Sequence, residues 1–128
     1  MLRACLDSLA AQALPAGIDL HIVVVDNEER PSNEAGVLAF AQTCRFPVHY
    51  VHEPRRGIAQ ARNALIDKAM ALQADWLAMI DDDETADHGW IAALMAPEHR
   101  QTPILQGYRY WVYPDPLPTW AFPVQERT

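Results

Sequence analysis

Lysine is nearly absent from this chain of 128 residues: Lys68 stands alone, and the other nine basic residues are arginines. With 17 acids against ten Lys plus Arg, the formal net charge is -7. That balance argues against a general affinity for nucleic acid, which needs a positive surface. Cysteine is scarce too. Cys5 and Cys44 are the only two, too few and too far apart for a disulfide framework or a zinc site; buried free thiols are the expectation. No apolar run approaches the roughly 18 residues of a membrane span. Arg3 and Asp7 interrupt any apolar core of a leader peptide. These absences lead to the expectation of a soluble domain in a reducing compartment, cytoplasmic or peripheral at the inner face of the membrane. Internal repeats and low-complexity segments are also missing.

What is present is an ordinary globular composition, 50% hydrophobic and 21% charged, in a length suited to one small domain with one core. The arginines are good bidentate partners for phosphate and carboxylate. The stretch that stands out is Ala78-Met79-Ile80-Asp81-Asp82-Asp83-Glu84. An apolar run from Trp76 to Ile80 reads as a short buried strand, and it ends in four consecutive acids. Adjacent carboxylates repel one another. A hard divalent cation takes carboxylate oxygens and cancels that repulsion. In an extended segment Asp81 and Asp83 point to the same side. The alternative is a solvated acidic turn ahead of a helix.

Taken in order, Leu2, Leu6, Leu9 and Ala13 fall at helical spacing, with Arg3, Asp7, Ser8 and Gln12 on the remaining positions. This predicts an amphipathic helix ending near Pro15 and Gly17. The β-branched run His21 to Asp26 predicts a strand buried on both faces, as in a parallel sheet. Ser32 or Asn33 can cap a helix to about Thr43. Val48 to Val51 is a second strand. A loop through Gly57 leads to a long helix from about Ile58 to Gln73, with the stripe Ile58, Ala61, Leu65, Ala69 and Leu72. After the Trp76–Ile80 strand comes a helix from His88 to Met95, stopped by Pro97. A last strand is expected from about Ile104 to Tyr113, and five prolines with interleaved aromatics crowd the final 26 residues. Strands alternating with helices imply crossover units and a mainly parallel sheet with flanking helices. In such sheets ligands bind outside the carboxyl ends of the strands, where Asp26 and the acid cluster both fall.

Three features line up: Val24-Val25-Asp26-Asn27, then Gly57-Ile58-Ala59-Gln60-Ala61-Arg62-Asn63, then the acids after the apolar run. Together they resemble the family 2 glycosyltransferases of the GT-A fold, over roughly residues 2 to 113. The resemblance implies that Asp26 accepts a hydrogen bond from the base of a nucleotide-sugar, and that Arg62 lies near base and phosphates. It places Asp81 and Asp82 with the nucleotide-sugar, and Asp81 and Asp83 with a Mg²⁺ or Mn²⁺ on the diphosphate. A sugar diphosphate is itself negative, so an acidic site receives it only through an intervening cation, which also stabilises the departing nucleotide diphosphate. The implied function is transfer of a sugar, from a UDP-sugar first of all, to the hydroxyl of a saccharide or lipid-linked acceptor. A homodimer is compatible with it.

Each of these residues also has a plainer use. Asp26 could cap a turn. Arg62 could pair with Asp67 or Glu53 on the surface, Asn63 could buttress the loop, and Gly57 could serve the backbone alone. The histidines are scattered, and His88 reads as a helix-start residue. Two departures from the family pattern bear on the expectation. The first strand and its nucleotide-contacting turn have no counterpart here, and no acid matches the general base, so no catalytic residue is assigned. The expected organisation is an incomplete GT-A-like nucleotide-sugar-binding domain over residues 1–113, lacking its first strand. A Pro- and aromatic-rich tail over 114–128 leads on toward an acceptor-binding part. The rival readings are a non-catalytic nucleotide-sugar-binding fragment and a receiver-like regulatory domain. A receiver needs a lysine at a strand end, whereas Lys68 falls inside a predicted helix.

Overall fold

The computed structural model describes residues 1–110 and 112. Helix α1 (Leu2–Ala10) leads into strand β1 (Ile22–Asp26), helix α2 (Glu34–Thr43), strand β2 (Val48–His52) and helix α3 (Ile58–Ala71). A short helix α4 (Trp90–Leu94) and a 3₁₀ turn (Pro97–His99) follow. The strands pair in parallel, in register from Ile22 opposite Val48 to Asp26 opposite His52. Parallel strands need a crossover, and α2 supplies it. Helix α2 packs on β2, and α3 on β1. The β-branched residues of β1 favour this arrangement because a strand covered by helices presents apolar side chains on both faces.

The core forms where α1, α2 and β1 meet. Leu6, Ile22 and Phe40 are buried there, ringed by Leu2, Leu9, Ala10, Val24, Cys44, Phe46 and Val48. The apolar stripe read in α1 is therefore the face that packs. Arg45 sits at the end of that helix: its Nε donates to the Ala10 carbonyl at 3.1 Å, and a second guanidinium nitrogen donates to the Gln12 carbonyl. A cation thus meets the negative end of the helix. Helix α3 ends at Ala71, two residues short of the expected Gln73, because Gln73 takes a positive φ of 56°.

Several expectations are corrected. Trp76 to Ile80 forms no strand: among the described residues the sheet has two strands, which pair with each other. An extended segment becomes a strand only when a neighbour receives its N–H and C=O groups. Instead Trp76 stays 45% exposed, and Leu77 and Met79 are exposed as well. Residues 104–110 likewise show no strand, and Trp111 and Tyr113, with the 114–128 tail, lie outside the described residues. Ile58, read as the start of the α3 stripe, is exposed. Lys68 lies within α3, not at a strand end, so the receiver reading loses its lysine. Among the described residues no helix is long and apolar enough to cross a membrane.

Candidate functional site

Asp26 ends β1 and is 4% exposed. Its Oδ2 accepts three hydrogen bonds: from the backbone N–H of Ser32 and of Asn33, and from the Tyr50 hydroxyl, each at 2.8 Å. Oδ1 has the Ser32 hydroxyl at 3.5 Å, a marginal distance for a bond, and the Glu28 backbone N–H also bonds the carboxylate. One oxygen is saturated and the other keeps acceptor capacity. Burial by itself pushes this carboxyl up. The bonds from Asn33, Ser32 and Tyr50 outweigh it and hold the pKa below the usual 3.8. Tyr50, desolvated and donating to that carboxylate, is pushed up to about 12, so it remains a donor at every ordinary pH. Asp26 therefore does cap a turn, and its Oδ1 is the less engaged of the two oxygens.

Asn27 enters the sequence reading only as the last residue of the Val24–Asn27 motif. Its side chain proves to be the bolt between two sequence motifs. Nδ2 donates to the carbonyls of Glu53 and Arg55, both at 2.8 Å. Oδ1 accepts from the Gly57 N–H at 2.8 Å. The head of α3, with Gly57 through Asn63, is thereby tied to the carboxyl end of β1. An Asn just past a strand is a residue type that bonds neighbouring backbone readily, which is the signal the sequence offered. Gly57 has φ 140°, and a Cβ built there would lie 2.3 Å from Gln60 Oε1. Its glycine is thus a backbone requirement.

Around this junction the loops are knitted by charge. Arg55 holds Glu53 through both carboxylate oxygens, at 2.8 Å each, and pulls the Glu53 carboxyl down to about 2. Arg56 pairs with Glu28 at 2.9 Å. Arg62, on the first turns of α3, is exposed and forms no ion pair among the described residues, neither with Asp67 nor with Glu53.

The acid cluster is a tight turn, not an extended segment. The Glu84 N–H donates to the Asp81 carbonyl at 3.1 Å, with Asp82 and Asp83 at the bend. The Asp81 N–H donates in return to Glu84 Oε2 at 3.3 Å. The extended geometry expected for Asp81 and Asp83 is thus replaced by a bend; Asp81, Asp82 and Asp83 are all exposed, and Glu84 is half-buried and paired with Arg109 at 3.3 Å. Beneath the turn lies Cys5, whose thiol donates to the Asp81 carbonyl at 3.6 Å. Burial first, then the field of Asp82, Glu84, Asp81 and Asp83, pushes that thiol up, which makes it an inert one. Both cysteines are free, as expected.

The structure brings Asp81, Asp82 and Asp83 together in one bend and ties Asp26 to the α3 motif through its neighbour Asn27. No hydrogen bond or ion pair joins Asp26 or Arg62 to the acid turn among the described residues. Nor do three His, Cys, Asp or Glu groups there gather closely enough to form a metal cage. The donor chemistry fits Mg²⁺ or Mn²⁺ all the same. Hard carboxylate oxygens suit these ions, and Mg²⁺ commonly takes one or two carboxylates with substrate phosphates and water completing its shell. The histidines the sequence left scattered include a pair that meets: His21 Nδ1 and His49 Nε2 are 3.0 Å apart. They lie at the amino ends of the strands, away from Asp26.

Comparison with known proteins decides the family. The model of glycosyl transferase family 2 matches residues 1–122. The chain belongs to that family. Its fold is accordingly of the GT-A type, seen among the described residues as an incomplete α/β domain with a two-stranded parallel sheet and flanking helices. The chain is also similar to the succinoglycan biosynthesis protein ExoM of Rhizobium meliloti (strain 1021), 38% identical over 90 residues. That match covers 70% of this chain and 28% of the relative's length. No solved structure matches.

Proposed function

We propose that this family 2 chain binds a nucleotide-diphospho-sugar, a UDP-sugar first of all, and serves its transfer to an acceptor hydroxyl. The observation that carries the reading is the Asn27 bolt. It sets the Asp26 strand end beside the head of α3, so that two of the three motifs form one rim. Asp26 Oδ1 accepts a hydrogen bond from the nucleotide base. Arg62, exposed and without an ion pair among the described residues, neutralises phosphate. Asp81 and Asp83 hold Mg²⁺ or Mn²⁺ on the diphosphate, with Asp82 beside them at the nucleotide-sugar. A metal held there stabilises the leaving nucleotide diphosphate as a Lewis acid.

The relative's name places it in the biosynthesis of succinoglycan. We extend to this chain the coarser class, polysaccharide building, with a saccharide or lipid-linked acceptor. Among the described residues no helix is long and apolar enough to cross a membrane, and attachment at the inner membrane face and homodimer formation are part of the proposal.

A calorimetric titration of the chain with UDP, with and without Mn²⁺, tests the reading. The expected outcome is binding that depends on Mn²⁺ and that Asp81→Ala with Asp83→Ala weakens about 10-fold or more. Metal-dependent binding unchanged in that double variant would overturn the site assignment.

A further inference from the structure

Arg3 and Asp7 of α1 face solvent as their spacing suggests, but Ser8 in α1 and Gln12, two residues past its end, do not. Ser8 and Gln12 lie against the segment that follows the acid turn. Gln12 is fully buried, at 0% exposure, yet every part of its amide is used. Nε2 donates to the Asp87 carbonyl at 2.7 Å and to the Ser8 carbonyl at 3.2 Å. Oε1 accepts from the Ile91 N–H at 3.0 Å. One turn earlier, the Ser8 hydroxyl accepts from the Ala86 N–H at 2.9 Å and donates to the Cys5 carbonyl at 2.7 Å. The Ala13 N–H reaches the His88 carbonyl at 2.9 Å, and Cys5 reaches the Asp81 carbonyl.

Apart from the two that end on the Cys5 and Ser8 carbonyls, these bonds share one target. They grip the chain at Asp81 on one side of the acids and at Ala86, Asp87, His88 and Ile91 on the other. Only residues 82 to 85 span the gap, and Asp82 and Asp83 sit at its apex. A bend that short, fixed at both ends, has little freedom to move its carboxylates. Core packing alone would not need this: an apolar side chain fills a buried position more cheaply than an amide that must find partners. Two buried or half-buried polar residues are spent here on backbone groups roughly 75 residues distant in the chain.

We propose that Ser8 and Gln12 are positioning residues for the acid turn, fixing Asp81 to Asp83 for a metal-bound nucleotide diphosphate. The inference rests on the function proposed above, and it assigns to α1 a role beyond packing. Residues that orient metal-binding carboxylates through a second layer of hydrogen bonds govern affinity without touching the ligand.

The test compares Gln12→Met, Ser8→Ala and Ser8→Thr with Val37→Ala, a core change in α2 away from the turn. Two readouts are taken where all variants are folded: amide hydrogen exchange over residues 81–91, and calorimetric affinity for UDP in Mn²⁺. Gln12→Met speeds exchange across 81–91 selectively and weakens UDP binding about 10- to 100-fold. Ser8→Ala does so to a lesser degree, and Ser8→Thr, which keeps the hydroxyl, tracks the wild type. Val37→Ala leaves UDP affinity at the wild-type value. Equal exchange over 81–91 in the Gln12, Ser8 and Val37 variants overturns the proposal, as does undiminished UDP affinity in Gln12→Met. Should Gln12→Met not fold, the Ser8 pair decides by the same criteria. Should the wild type take up no UDP with Mn²⁺, the functional reading fails, and the exchange arm alone judges whether Ser8 and Gln12 position the turn.

Discussion

Asp26 shows how much one side chain can be asked to do. Its carboxylate closes the turn at Ser32 and Asn33, ties β2 through Tyr50, and leaves Oδ1 the less engaged oxygen. Three donors converge on one oxygen because the charge makes each bond stronger than a neutral one. Asp26→Asn keeps the shape but removes the charge and turns one oxygen into a donor. Such a change costs about 2 kcal/mol, to be read from urea unfolding at pH 7. The dependence on pH follows from the lowered pKa of Asp26. The unfolded carboxyl binds its proton first as pH falls, so the stabilisation is present above 3.8 and is lost as pH drops through the lower folded value. The gap between wild type and Asp26→Asn should therefore narrow below pH 3.8. A gap that stays constant to pH 2 would mean that the charge contributes nothing.

At the scale of elements, the junction of β1 with α3 depends on Asn27 and Gly57. Asn27→Ala deletes three hydrogen bonds. Two of the abandoned groups are loop carbonyls that water can reach, so the expected loss is modest, about 1–2 kcal/mol. The sharper signature is local: amides of residues 53–57 exchange faster while those of β1 keep their protection. Uniform acceleration across the sheet would show that Asn27 acts on the whole fold instead. The helices and the two strands were legible from period and β-branching, because α1 and β1 pack with the apolar faces their patterns display. The Trp76–Ile80 strand was not, since a pattern reports what a segment can bury and not whether a partner strand stands beside it. The acid turn was misjudged for a similar reason. Alternation was assumed for Asp81 and Asp83, whereas the Glu84 N–H folds the chain back onto the Asp81 carbonyl. The roles of Gln12 and Asn27 were not legible because their partners are backbone atoms distant in the chain; for Asn27 the residue type past a strand end was the one signal.

At the scale of the whole molecule, a two-stranded sheet and a core centred on Leu6, Ile22 and Phe40 support two separate acidic features. One is the Asp26 rim with α3, the other the turn held by α1. The order of motifs was enough to reach the family, and the match over residues 1–122 bears that out. The sequence placed both features at one ligand-binding rim; among the described residues no direct bond links them, so it would take a ligand that spans both to make them one site. Nuclear magnetic resonance of the chain with UDP and Mn²⁺ tests this most directly, because the paramagnetic ion broadens signals in its neighbourhood. The account predicts broadening, in the presence of UDP, of the amides of residues 81–84 and also of Asp26, Asn27 and Asn33, all of it abolished in the Asp81→Ala, Asp83→Ala double variant. Broadening confined to 81–84, with the Asp26 rim untouched at saturating UDP, would contradict it.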